Sequence, residues 1–419
     1  MVSVPLRVRF ALVLMLTTQA SFAAPVDSLV VRALAHSPGV AELRARLQAA
    51  REAVRGAGSL PNPMLELMLQ DVGFPNYTVG DVEMSMIGPQ LTQTIPFPGK
   101  RGARRRAAEA GVTVRERELE ALQRDLVRDV RVLYARAYAL DAERRALLEG
   151  RDALGSIAAS ARDRYSAGSA ESEPMIEARL VQHRLDVRLD DLEAEWAGVS
   201  SAMARLLGAD ERPELALVPE LPAVAASEDF AARRDASRAP ELAVRAAETG
   251  AAEAELRAAR IERLPDFVAG AGVGFRGSMD KVVTLRLGMD LPLWGGSETR
   301  AKARVAEQQL LAARAAERGA LLSARSDYER LVYEGVRSEK QVTRYRDLIV
   351  PDSKLAYESA RSNYMVGRSE FAAVLTNFQA WLDARAELAR REAEAYSTWA
   401  ELARLRNANG EATHSGGTR

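Results

Sequence analysis

"QTIPFPGKRGARRRAAEAG", residues 93–111, joins an alternating, strand-like run to the start of a long helical pattern. Pro96, Pro98 and Gly99 mark the turn, since proline lacks the N–H that a strand ladder needs. Five positive charges then fall within seven residues, Lys100 to Arg106. A weaker copy of this elbow, "DLPLWGGSETRAKARVAEQ", occupies residues 290–308. The chain therefore turns from strand to helix twice.

The likeness extends outward from the two elbows. "HSPGVAELRARLQAAREAVRGAGSLPNP" (36–63) matches "RAPELAVRAAETGAAEAELRAARIERLPDF" (238–267), Pro96 aligns with Pro292, and "RYSAGS" (164–169) matches "NYMVGRS" (363–369). Each half reads as helix, strand pair, long helix, glycine turn, helix, an internal duplication. The expected organisation is a first repeat over 24–208, a linker over 209–237 with Pro213, Pro219 and Pro222, and a second repeat over 238–409. The tail 410–419, "GEATHSGGTR", is expected to be disordered.

Leu119, Leu122, Leu126, Val130, Leu133, Ala137 and Leu140 recur at spacings of three and four. In the second half Leu321, Ala324, Tyr328 and Leu331, then Val342, Tyr345 and Ile349, do the same. These are helix-packing seams with charged residues on the other faces. One helix from Lys100 onward would run about 100 Å at 1.5 Å per residue. Pro351 should kink its counterpart.

The strands alternate differently. In "DFVAGAGVGFR" (266–276), Phe267, Ala269, Ala271, Val273 and Phe275 share one face, with Val268, Gly270, Gly272, Gly274 and Arg276 on the other. In "VVTLRLGMDLPL" (282–293), Val283, Leu285, Leu287, Met289 and Leu291 oppose Thr284, Arg286, Gly288 and Asp290. Apolar on one face and polar or glycine on the other, over about ten residues, is the transmembrane β-barrel pattern. The first half is noisier: Leu65, Leu67 and Leu69 oppose Glu66 and Gln70, and Pro89 lies inside the next run. Soluble hairpins packed on a helix would be the alternative. Four strands cannot close a barrel, and an open edge in lipid leaves backbone groups unsatisfied. Strands from several copies must be pooled: two copies give about eight strands, a barrel filled by side chains, and three give about twelve, with room for a channel.

Composition agrees. Lys and Arg total 58 against 58 Asp and Glu, so no overall field draws the chain to nucleic acid. Aromatics make up only 5%, while Ala, Arg, Glu and Leu dominate, as in long helices. Without cysteine there is no disulfide, thiolate metal site or lipid anchor on an N-terminal cysteine. Residues 1–23 read as a secretory signal: Arg7 and Arg9, an apolar core from Phe10 to Leu16, then Ser21-Phe22-Ala23 before the cut.

The elbow "QTIPFPGKRG", its copy "DLPLWGGS" and "YMVGRSEFAAVLTNFQAW" (364–381) resemble the TolC family of outer-membrane efflux proteins, with CzcC-like heavy-metal efflux components the closest likeness. The resemblance covers nearly the whole mature chain. It implies a mainly α protein with membrane β: a homotrimer whose twelve-stranded outer-membrane barrel continues as a long periplasmic helical barrel. It also implies a periplasmic adaptor and an inner-membrane RND transporter as partners. The implied activity is passive export, with divalent heavy metals favoured as cargo and drugs or secreted proteins left open. A soluble periplasmic coiled-coil adaptor is the competing class.

At the inner face of the outer membrane, Lys100, Arg101, Arg104, Arg105 and Arg106 would meet anionic lipid head groups, at about 1 kcal/mol per charge. That exceeds the few tenths that the helix dipole costs each. An ordinary solvated face, with pairs such as Arg105 and Glu109, is the bland alternative. By the resemblance, Tyr165, Gly168, Ser169, Tyr364, Val366, Gly367, Arg368 and Ser369 form the periplasmic tips that meet the adaptor. The glycines supply left-handed turns, and Ser369 can cap the next helix. Glu171, Glu173, Glu370, Arg286 and Asp290 are the gate and pore candidates. Pro174 and Ala373 stand where the family's commonest acidic ring would fall.

Catalytic signatures are missing. His36, His183 and His414 lie far apart, and "GAGVG" (270–274) sits inside a strand and does not open a helix. Neither a cofactor nor a resident metal is expected. Met64, Met68, Met84 and Met86 could be soft copper ligands, but lipid-facing or core positions are the expectation.

Overall fold

Proline placement sets several of the element boundaries in the computed structural model, which describes residues 26–72, 75, 78–81, 83–166, 173–210, 218, 220–223, 238–291 and 296–406. Helix α1 (Val26–His36) ends at Ser37-Pro38, and α2 (Pro38–Ala57) restarts with the proline in its first turn. Strands β1 (Met64–Gln70) and β2 (Met86–Ile95) lead into α3 (Lys100–Ser166) and α4 (Glu173–Leu207). The second repeat begins with α5 (Pro240–Ile261), β3 (Asp266–Arg276) and β4 (Met279–Asp290). It continues through α6 (Gly296–Arg344), a π-helical turn (Tyr345–Ile349), α7 (Val350–Met365) and α8 (Phe371–Arg406). The signal segment, most of the linker and the tail lie outside the described residues.

Helix α3 is unbroken over 67 residues, about 100 Å at 1.5 Å per residue. Its counterpart is divided. Pro351 does not end the helix; the π turn widens the ladder just before the ring, which accommodates the missing donor. Around the bundle, α3 and α8 pack centrally, with α4 flanking α3 and with α6 and α7 flanking α8. The main core lies where α3, α4 and α8 meet, with Phe378, Leu147, Leu154, Leu382 and Val130 among its buried side chains. Lower on the α7–α8 hairpin, Tyr357 stacks on Trp381 and tilts against Phe378, each at 5.5 Å between ring centroids.

Charged residues cross the helix interfaces at defined points. Buried Glu143 of α3 accepts from Arg188 of α4 and Arg390 of α8, each at 2.8 Å, while Arg188 also reaches Asp383 at 2.7 Å. Arg404 of α8 bridges Asp125 of α3 and Glu241 of α5. Buried charges persist only when paired in this way. Asp141 is satisfied on one side alone, by Arg145 at 3.3 Å. It is 1% exposed, one carboxylate oxygen has no partner among the described residues, and burial pushes its carboxyl above the ordinary range.

The four strands form one antiparallel sheet in the order β1-β2-β3-β4. Both hairpins keep the same register under the repeat alignment: Met64 faces Thr92 in the first, and Val268 faces Gly288 in the second. The central β2–β3 pairing joins the repeats, with Leu91 opposite Ala271 and Gln90 opposite Gly272. It is interrupted at Gly88 and Pro89, where proline has no donor.

Candidate functional site

Registers assign every side chain to a face, because directly opposed residues share one. Leu65, Leu67 and Leu69 of β1 lie opposite Leu91, Pro89 and Ile87 of β2. Ile95, Leu91 and Ile87 in turn oppose Phe267, Ala271 and Phe275 of β3. Phe267, Ala269, Ala271 and Val273 oppose Met289, Leu287, Leu285 and Val283 of β4. Gln93 and Lys281 are polar on this face; the Gln93 amide donates to the carbonyls of Pro61 and Thr94, and the Lys281 ammonium lies 5.4 Å over the Phe275 ring. The face is left open: Leu285 and Leu287 are 78% and 88% exposed.

The opposite face carries Glu66, Gln90, Thr92, Thr284, Arg286 and Asp290 together with Gly88, Gly270, Gly272, Gly274 and Gly288. Several of these glycines give room to a neighbouring strand. A Cβ on Gly274 would lie 2.6 Å from the Met86 sulfur, and one on Gly88 would lie 1.8 Å from the Val273 carbonyl oxygen. Gln90 is thereby buried over Gly272. Register also corrects the methionines. Met64 and Met68, each two residues from Glu66, and Met86, four from Gln90, share this polar face; none of the three is on the apolar face, and Met86 is buried, as the core expectation has it.

At the elbow, Gly99 takes φ +98°, the conformation glycine tolerates. Asp266, at the start of β3, accepts the Phe97 N–H at 2.8 Å and the Lys100 ammonium at 2.8 Å. Phe97 stacks on Phe267 at 6.1 Å. Arg104 grips Glu262 with two hydrogen bonds, 2.6 and 2.9 Å, and that pairing raises its guanidinium further. The elbow of the first repeat is thus clamped to the strand entrance of the second.

This arrangement changes the reading of the basic cluster. Lys100 is 3% exposed and so is not presented to head groups, while Arg104 is engaged by Glu262 with its side chain 41% exposed. Arg101 donates to the Gly58 carbonyl at 2.8 Å while remaining exposed. Arg105 makes the expected pair with Glu109 at 3.3 Å, and Arg105 and Arg106 are exposed.

At the second tip the glycine expectation holds. Gly367 has φ +73°; its N–H bonds the Tyr364 carbonyl, and the Arg368 N–H bonds that of Asn363. That is a Schellman C-cap. Val366, Arg368 and Glu370 are exposed. Tyr364 is not a surface group: it is buried edge-on against Phe371 at 5.2 Å. Ser369 does not cap α8, because its hydroxyl donates back to the Ala360 carbonyl at 3.3 Å. In the first repeat Tyr165 is exposed at the end of α3, and Glu173 opens α4. Gly168, Ser169 and Glu171 lie outside the described residues.

Among the described residues no group of three or more His, Asp or Glu side chains could hold a metal, and no helix is long and apolar enough to cross a membrane. His36 turns its ring to the Arg32 carbonyl.

A duplicated chain whose small sheet is apolar and open on one face, and whose strands run into tunnel-length helices, is the protomer type of a sheet-and-helix channel. The chain belongs to the outer membrane efflux protein family, whose model matches residues 29–209 and 233–408. Among solved structures, the outer-membrane channel OprN shares the fold with TM-score 0.75 at 17% identity, over 91% of this chain and 89% of that one. VceC from Vibrio cholerae matches with TM-score 0.75 at 19% identity, over 91% and 95%. CusC matches with TM-score 0.67 at 16% identity, over 91% of each chain. No curated protein matches the sequence.

Proposed function

We propose that three copies assemble into a passive outer-membrane duct, the exit channel of a tripartite efflux system. The observation that carries this reading is the sheet's open apolar face. Burying it is worth roughly 25 cal/mol per Å², and leaving it in water across four strands would invite aggregation. Lipid removes that cost, and the opposite face of glycine, Gln, Thr and Arg suits a wet lumen. A soluble periplasmic adaptor would need no such face. β1 and β4 each end the sheet with an unpaired edge, so closure in lipid requires other copies.

The helices extend the duct through the periplasm towards an adaptor and an inner-membrane RND transporter, which supply the energy. The exposed tip residues Tyr165, Val366, Gly367 and Arg368 are the proposed adaptor surface. Glu173 and Glu370, with Glu171, are the proposed acidic gate. The proposed cargo is divalent heavy metal, on the CzcC-like elbow and tip sequences. Deleting the gene and measuring tolerance to zinc, cobalt, cadmium and copper, then to a drug panel, tests this. Metal sensitivity restored by the wild-type gene supports the cargo; sensitivity to drugs alone reassigns it. Recovery of the mature protein in the soluble periplasmic fraction would falsify the duct itself.

A further inference from the structure

The duplication allows the missing seam to be read from the one that is present. In the sheet, the last strand of the first hairpin pairs with the first strand of the second, Gln90 opposite Gly272 and Thr92 opposite Gly270. The two hairpins have one register when Thr92 is aligned with Gly288 and Met64 with Val268. Carrying the β2–β3 pairing onto the free edges of β4 and β1 therefore fixes how β4 meets β1 of a second copy. Leu287 falls opposite the partner subunit's Leu67, and Gly288 opposite the partner subunit's Glu66. Arg286 falls opposite the partner subunit's Met68.

We propose that the copies join in this register, and that Arg286 forms an ion pair across the seam with the partner subunit's Glu66. The inference rests on the membrane-duct reading and deepens it by naming the subunit contact. Both side chains lie on the polar face. They stand on the diagonal of adjacent cross-strand pairs, within reach of long side chains. Gly288 places no side chain opposite the glutamate, which leaves space for the guanidinium. Within one protomer the corresponding positions hold Gln90 and Gly270, which carry no charge. Opposite charges thus sit at the seam between copies and are absent from the equivalent seam inside a copy. That arrangement favours pairing β4 with β1 over pairing like edges, which would set Arg286 near Arg286 or Glu66 near Glu66.

Because the chain has no cysteine, engineered thiols report the register directly. The test compares Leu287→Cys/Leu67→Cys with the off-register pairs Leu287→Cys/Leu65→Cys and Leu287→Cys/Leu69→Cys, each oxidised in outer membranes. The expected result is a covalent trimer on denaturing gels from the first pair alone. Crosslinking mainly through Leu65 or Leu69 overturns the register while leaving the trimer standing. A detergent-extracted protein that is monomeric before oxidation overturns the duct reading instead. The ion pair is tested by Glu66→Arg, Arg286→Glu and their combination. Each single change should lower the temperature at which the unlinked trimer dissociates, and the swap should restore it. A swap no better than the singles overturns the pair.

Discussion

Replacing Asp266 with alanine probes the clamp that ties the first elbow to the second repeat. In the native structure this carboxylate accepts both the Phe97 N–H and the Lys100 ammonium, each at 2.8 Å. Its loss leaves Lys100, 3% exposed, with only Glu262 at 3.8 Å, and Glu262 is already held by Arg104. Removing one partner of a buried pair costs about 3 to 5 kcal/mol. Asp266 itself is 23% exposed and Glu262 gives partial compensation, so the lower end applies, about 3 kcal/mol per protomer. Lys100→Met should cost less, about 1 to 2 kcal/mol, because Asp266 keeps the Phe97 donor and can take up water. The combination Lys100→Met/Asp266→Asn should cost less than the two single changes added, since neither leaves a buried charge alone. Denaturant titration of the refolded protein in micelles, followed by tryptophan fluorescence, measures each variant. Arg105→Met is the control, because its exposed pair with Glu109 is worth at most about 0.5 kcal/mol. Equal losses for Asp266→Ala and Arg105→Met would refute the clamp.

Three further outcomes follow from the same geometry. Leu285→Arg should reduce outer-membrane trimer yield far more than Thr284→Arg, because arginine at mid-bilayer costs about 2 to 4 kcal/mol on the lipid side; immunoblots of membrane fractions decide it. Asp141→Asn should stabilise the protein at neutral pH. Burial raises the folded carboxyl's pKa above its unfolded value, so its contribution is fully present below the ordinary carboxylate range and is lost as pH rises through the raised value. The advantage of asparagine should accordingly vanish in thermal melts taken below about pH 4. At the tip, Gly367→Ala meets no neighbouring atom within 4 Å, so its cost is the left-handed backbone alone, about 1 to 2 kcal/mol. Arg368→Glu should instead leave melting unchanged and weaken in-cell crosslinking to the adaptor, with Arg344→Glu as the distant control.

Features set by local pattern were legible in the sequence. The alternation in β3 and β4, the 67-residue α3 and the glycine turn at Gly367 each depend on residues a few places apart. The first hairpin was harder because Pro89 and Gln93 sit on its apolar face, one breaking a ladder and the other bonded to Pro61 and Thr94. What sequence could not supply was partnership across the duplication. Lys100 looked like a head-group ligand because Asp266 and Glu262 lie more than 150 residues away and meet it only in the fold. Tyr364 looked exposed beside a turn, yet Phe371 covers it from the far side. The parity of Met64 and Met68 with Glu66 was present in the sequence, but their apolar character argued for the other face.

Thiol accessibility along β4 tests the membrane sheet most directly. Single cysteines at Val283, Thr284, Leu285, Arg286, Leu287 and Gly288, in a chain with none of its own, are exposed to a membrane-impermeant maleimide in intact outer membranes. Labelling at 284, 286 and 288 with protection at 283, 285 and 287 is the result the account predicts. Uniform labelling along the strand, or protection at the even positions, would contradict it.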